Sequence, residues 1–73
     1  MQTYGNGDSG VTAYEAGASW IVVQFGDGHR YRYDATAPGP EHVAAMIGLA
    51  SAGRGLNTYI NQHVRANFAR KVA

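Results

Sequence analysis

Cysteine is absent from this chain of 73 residues, which removes two ways of holding a small protein together. Neither a disulfide framework nor a thiolate metal site is available, so the fold rests on packing and hydrogen bonding. A domain of this size buries little of its own surface, which makes its apolar content decisive. That content is 45% against 15% charged residues, enough for a core but with few charges to keep copies apart. Self-association into a homo-oligomer is therefore expected. No apolar run approaches the length of a membrane span, and the polar start Met1-Gln2-Thr3 does not read as a signal peptide. A cytoplasmic location is the expectation.

Acidic residues are missing from the whole C-terminal part. Asp8, Glu15, Asp27, Asp34 and Glu41 all precede residue 42, with Arg30 and Arg32 as the only cations among them. Beyond it stand Arg54, Arg65, Arg70 and Lys71 and no acid. The formal net charge of +1 thus hides an acidic first part and a basic second one. A basic half is the footprint of a phosphate-binding face. The same residues also serve to solvate a helix and complement its C-terminal dipole.

Residues 1 to 10 are rich in glycine and polar side chains and are expected to be poorly ordered, leaving 11 to 73 as one domain. Val11 to Glu15 reads as a short strand, and Ala16-Gly17-Ala18 as a turn. Ser19 to Phe25 has the β-branched and aromatic content of a half-buried strand. Gly26-Asp27-Gly28 closes a hairpin onto a third strand, His29 to Asp34. A two-residue Asp27-Gly28 loop would split the apolar set between faces. A three-residue loop with Gly28 left-handed pairs Phe25 with His29, Val23 with Tyr31 and Ile21 with Tyr33. That register gathers Ile21, Val23, Phe25, Tyr31 and Tyr33 on one face, with Trp20, Val22, Gln24, Arg30 and Arg32 on the other. It is preferred because burial of one face pins register.

Ala37-Pro38-Gly39-Pro40 marks the change from a period of two to one of 3.6. Pro40 suits the first turn of a helix, and Val43, Met46, Ile47 and Ala50 follow as its core stripe. Gly53 is placed as its left-handed stop. Leu56, Tyr59, Ile60, His63, Val64 and Phe68 continue at helical spacing, predicting a second helix that runs to Phe68 with a buried His63. The expected architecture is α+β: a three-stranded antiparallel meander followed by two helices packed on one sheet face.

These residues resemble the KTSC domain, a short module found as a stand-alone bacterial protein and at the C-terminus of some lysyl-tRNA synthetases. The likeness spans roughly residues 9 to 68. It lies in Tyr14, the strand ending in Phe25, Gly28, the Tyr31-x-Tyr33 pair, Ser51-x-Gly53-Arg54-x-x-Asn57-x-x-Ile60, and Phe68. Two features depart from it: Ala37-Pro38-Gly39-Pro40 replaces the usual Val-Pro after the third strand, and the glycine-rich lead has no counterpart. The resemblance implies an RNA-binding module, through the association with the synthetase.

Other motifs carry less. Gly5-Asn6-Gly7-Asp8-Ser9-Gly10 fits the dinucleotide-binding fingerprint in letters, but it precedes a strand where the fingerprint should follow one and open a helix. His29, His42 and His63 lack metal-ligand spacing, and no serine or carboxylate pair suggests catalysis. Neither enzymatic activity nor a cofactor is expected. Asn57 is read as a cap of the second helix and Ser51 as a partner for the last turn of the first. Arg54, between two glycines at the corner, is a candidate anion contact or a structural arginine for helix-end carbonyls. Two functions remain open. One is binding of RNA or a phosphate-bearing nucleotide through Trp20, Arg30, Arg32, Arg54 and Arg65. The other is self-association or protein binding through Trp20 and Val22.

Overall fold

A computed structural model describes residues 2–4 and 10–72. In chain order, Gln2–Thr3 forms β1, Val11–Ala16 β2, Trp20–Phe25 β3, Arg30–Asp34 β4 and Pro40–Ala52 α1. Leu56–Tyr59 forms α2, continued by a π-helical turn over Ile60–Val64, and Arg70–Lys71 forms β5. The protein is α+β, with one antiparallel sheet in the order β1-β2-β3-β4-β5. The three expected strands are its centre. The two chain ends add a short strand at each edge, which extends the predicted meander from three strands to five.

The β3–β4 hairpin adopts the expected register. Gly28 sits at φ 90°, a left-handed conformation that side chains other than glycine rarely take. Its amide donates to the Phe25 carbonyl, and Phe25 donates to the His29 carbonyl, both at 2.9 Å. Val23 then lies opposite Tyr31 and Ile21 opposite Tyr33. Tyr33 is 1% exposed, and burial, with a smaller contribution from nearby Tyr31, pushes its phenol up to about 12.

In β2 strict alternation would send Val11 and Tyr14 to opposite faces. An irregularity between Val11 and Ala13 inserts Thr12, and both residues reach the core. Thr12 donates its hydroxyl to the Gln24 carbonyl at 3.3 Å, holding the bulge against β3.

α1 begins at Pro40 and ends at Gly53, left-handed at φ 79°, whose amide donates to the carbonyls of Leu49 and Ala50. It lies on β3 and β4. Val43, Met46 and Ala50 bury fully, with Ile47 packed at the margin. Leu56, Ile60 and Val64 complete the core from the second helical segment, while Phe25, Tyr31, Ile47 and Tyr59, expected inside, are only partly buried.

Four expectations are corrected. The disorder predicted for residues 1 to 10 fails for its described part: Gln2 and Thr3 pair with Tyr14 and Ala13, and Tyr4 is 2% exposed. Residues 1 and 5–9, including most of the glycine motif, lie outside the described residues. The second helix does not reach Phe68. It widens into the π turn, with Arg65 donating to the Ile60 carbonyl at 2.6 Å, and the chain then reverses. Phe68 is drawn onto the sheet instead, its ring centroid 4.6 Å from Tyr31 and edge-on to Tyr33 at 6.5 Å. Behind it, Ala69 and Val72 donate to the Arg32 and Arg30 carbonyls, filling the open edge of β4. The burial foreseen for His63 fails with the helical spacing, because the π turn leaves that residue exposed.

The cap of α2 is the fourth. Asn57 does not cap it; the Asn57 amide oxygen lies where a side chain on Gly10 would begin, 3.2 Å from that point. The Leu56 amide, the first donor of α2, donates to the buried Tyr4 hydroxyl at 2.9 Å. Tyr4→Phe keeps the ring and strands this amide. The expected cost is about 1–3 kcal/mol in a denaturant titration, the range for an unsatisfied buried donor. A loss of a few tenths would mean that water replaces the hydroxyl.

Candidate functional site

Alternation along β3 and β4 sends Trp20, Val22, Gln24, Arg30, Arg32 and Asp34 to the sheet face away from the helices. The register sets Val22 opposite Arg32 and Gln24 opposite Arg30. β5 adds a residue that the sequence did not mark as part of a site: Arg70 lies opposite Arg32. Three guanidinium groups thus occupy neighbouring positions on two strands. Arg70 could not be located from sequence because its strand is recruited by the β4 edge and by Phe68, not by local propensity.

The three arginines differ in what holds them. Arg30 donates from Nε to the Gln24 amide oxygen at 2.7 Å and is exposed. Arg70 is exposed on a two-residue strand. Arg32 is bound in two ways: its Nε donates to Asp34 Oδ2 at 3.0 Å, and its Cζ lies 5.0 Å from the Trp20 ring centroid. Among the described residues Arg32 is the only arginine of the face paired with a carboxylate.

Asp34 is the organising acid. It also accepts from the amides of Thr36 and Ala37, tying the end of β4 to the loop before α1. The Arg32 bond foremost, then these amides, hold its carboxyl below the usual carboxylate range.

Trp20 is half-buried and engaged on two sides. Arg32 lies over the ring, and the pyrrole edge presses on Gly17 so closely that a Cβ there would stand 2.1 Å from the indole nitrogen. A base stacking on the Arg32 side has to displace that guanidinium.

Arg54 and Arg65 are not brought to this face. Arg54 is exposed at the helix corner between left-handed Gly53 and Gly55, where the nearby Leu56 amide is taken by Tyr4. Arg65 is exposed at the end of the π turn. Ser51 is exposed, and the end of α1 is closed by the backbone amide of Gly53.

A second cluster gathers on the helical side, and here the spacing argument missed a spatial neighbour. His42 Nδ1 is 2.7 Å from the Tyr59 hydroxyl, the His63 ring lies 4.5 Å from the Tyr59 ring, and the two imidazoles are 6.2 Å apart. His42 also borders an open cavity of about 190 Å³ lined by Pro38, Gly39, Pro40 and Glu41. Among the described residues no group of three histidine or carboxylate side chains gathers.

No protein-family model matches the chain, and no curated protein or solved structure matches it.

Two outcomes follow from this geometry. Gly17→Ala should push the indole off the hairpin and release it from Arg32, read as a red shift of the emission of Trp20, the only tryptophan. An unchanged spectrum would show that the close approach is not maintained. Asp34 binds its proton less readily folded than unfolded, so stability rises with pH through the carboxylate range. Its contribution is complete above the ordinary aspartate pKa and is lost as pH falls below it. Asp34→Asn should flatten the acid limb of a stability-against-pH curve, and an unaltered limb would assign that limb to other carboxylates.

Proposed function

We propose that this chain is a small non-enzymatic binding module that contacts RNA, or a nucleotide bearing phosphate, through the outer face of its sheet. The observation that carries the reading is the placement of Arg70 opposite Arg32, with Arg30 on the same face. Clustered guanidinium groups suit phosphate because they stay charged and donate in a fixed fork. Arg30 and Arg70 have no carboxylate partner among the described residues, so neither has to break an ion pair to engage an anion.

The likeness to the KTSC domain supports the same reading through the synthetase association. The family's paired tyrosines would then be scaffold: Tyr33 is core and Tyr31 packs on Phe68, leaving recognition to the opposite face. Arg54 and Arg65 would act only as peripheral charges for a long strand of RNA that wraps the helical side. A cytoplasmic location belongs to this proposal, as does assembly into homo-oligomers. Self-association through Trp20 and Val22 is the competing use of the same face, and Arg32 lying over Trp20 leaves less apolar surface for it.

The test is a polarisation titration with short single-stranded RNA over a range of salt. Binding should weaken steeply with salt. Arg30→Ala and Arg70→Ala should each shallow the logarithmic slope by roughly 0.7 to 1. If a base displaces Arg32, Trp20→Ala should cost roughly 1–3 kcal/mol of affinity. Absence of binding at low salt, or binding indifferent to both arginine changes, overturns the proposal. Light scattering that shows a dimer broken by Trp20→Ala would then favour self-association.

A further inference from the structure

We propose that His42 and His63 together bind a divalent transition-metal ion, of the copper or zinc class, through one imidazole nitrogen each. This site is separate from the arginine face and does not depend on the function argued for it. Three observations converge on it. The first is the proximity of two rings that stand 21 positions apart in sequence: their centroids are 6.2 Å apart, on two different helical segments. A tetrahedral ion with bonds of about 2.0–2.1 Å holds two imidazole centroids roughly 5 Å apart. The gap has to close by about an ångström, a side-chain rotation open to exposed His63.

The second is the bond between His42 Nδ1 and the Tyr59 hydroxyl, at 2.7 Å. Metal-binding histidines are oriented in this way by a partner on the nitrogen that does not ligate. In the tautomer whose Nδ1–H donates to the Tyr59 oxygen, the lone pair of Nε2 is left for the ion. The third is the π turn over Ile60–Val64 that carries His63. Such turns are rare and recur at functional sites. Here the turn leaves His63 exposed with its ring 4.5 Å from Tyr59, which puts it beside His42.

No third histidine or carboxylate completes the set among the described residues, so two imidazoles hold the ion and water fills its remaining positions. Nitrogen ligation of this kind favours copper(II) over zinc(II).

The experiment titrates the full chain at neutral pH with zinc(II) alone and copper(II) alone, read by calorimetry and by histidine ring resonances or nitrogen couplings. The expected result is one ion per chain, with copper bound more tightly than zinc. His63→Gln and His42→Ala should each weaken binding at least about tenfold, and Tyr59→Phe about tenfold by freeing the His42 ring. His29→Ala should change nothing. His63 is exposed, so its replacement leaves the fold intact, which circular dichroism checks. Absence of saturable binding by either metal overturns the proposal, and so does binding that survives His63→Gln or disappears with His29→Ala.

Discussion

Pairing of β3 with β4 through a three-residue loop decides where every other part of this domain can go. Side chains alternate along a strand, so a slip of one residue would carry Tyr33 to solvent and Arg32 into the core. Left-handed Gly28 makes the loop, and the loop sets Val23 beside Tyr31 and Ile21 beside Tyr33. From that follow a face that the helices cover and a face that presents arginine. Scaffold and candidate interface are two sides of one register.

The ends of the chain finish what the hairpin starts. A domain this small has few residues to spare for a core, so the segments that flank the central strands and helices are drawn into it. Tyr4 contributes a buried ring that packs edge-on near Tyr14, at 6.4 Å, and a hydroxyl that caps α2 from 52 residues away. Phe68 closes the other side over Tyr31 and Tyr33 and leads the backbone onto the free edge of β4. Each end joins the sheet by a strand of only two residues. Their attachment rests on the aromatic anchors more than on ladder hydrogen bonds.

Clustering of arginine on the outer face concentrates charge that the composition spreads along the chain. Arg32 is tied to Asp34 and Trp20, and it stiffens the face. Arg30 and Arg70 flank it and are exposed. A fixed centre with accessible cations around it gives a surface with both shape and charge. Arg30 and Arg32 could be placed there from the alternation of the hairpin alone. Arg70 could not, because its position follows from a contact between Phe68 and two tyrosines far upstream. The pairing of His42 with His63 was hidden for a similar reason: 3.6-residue spacing assigned His63 to the core, and the π turn set it on the surface instead.

Short-range chemistry by itself determined the three central strands, the hairpin register, the first helix with Pro40 at its start and Gly53 at its end, and the side of the sheet on which Arg30 and Arg32 stand. Those features depend on backbone preferences of glycine and proline and on alternation, which act over a few residues. Tertiary structure decided the bulge at Thr12, the capture of Tyr4, the early end of the second helix, the fifth strand, and the meeting of His42 with Tyr59 and His63. Each of these trades a local preference for burial or a hydrogen bond offered by a distant segment. Such exchanges have no local signature, because the partner that makes them favourable exists only once the sheet and α1 have packed.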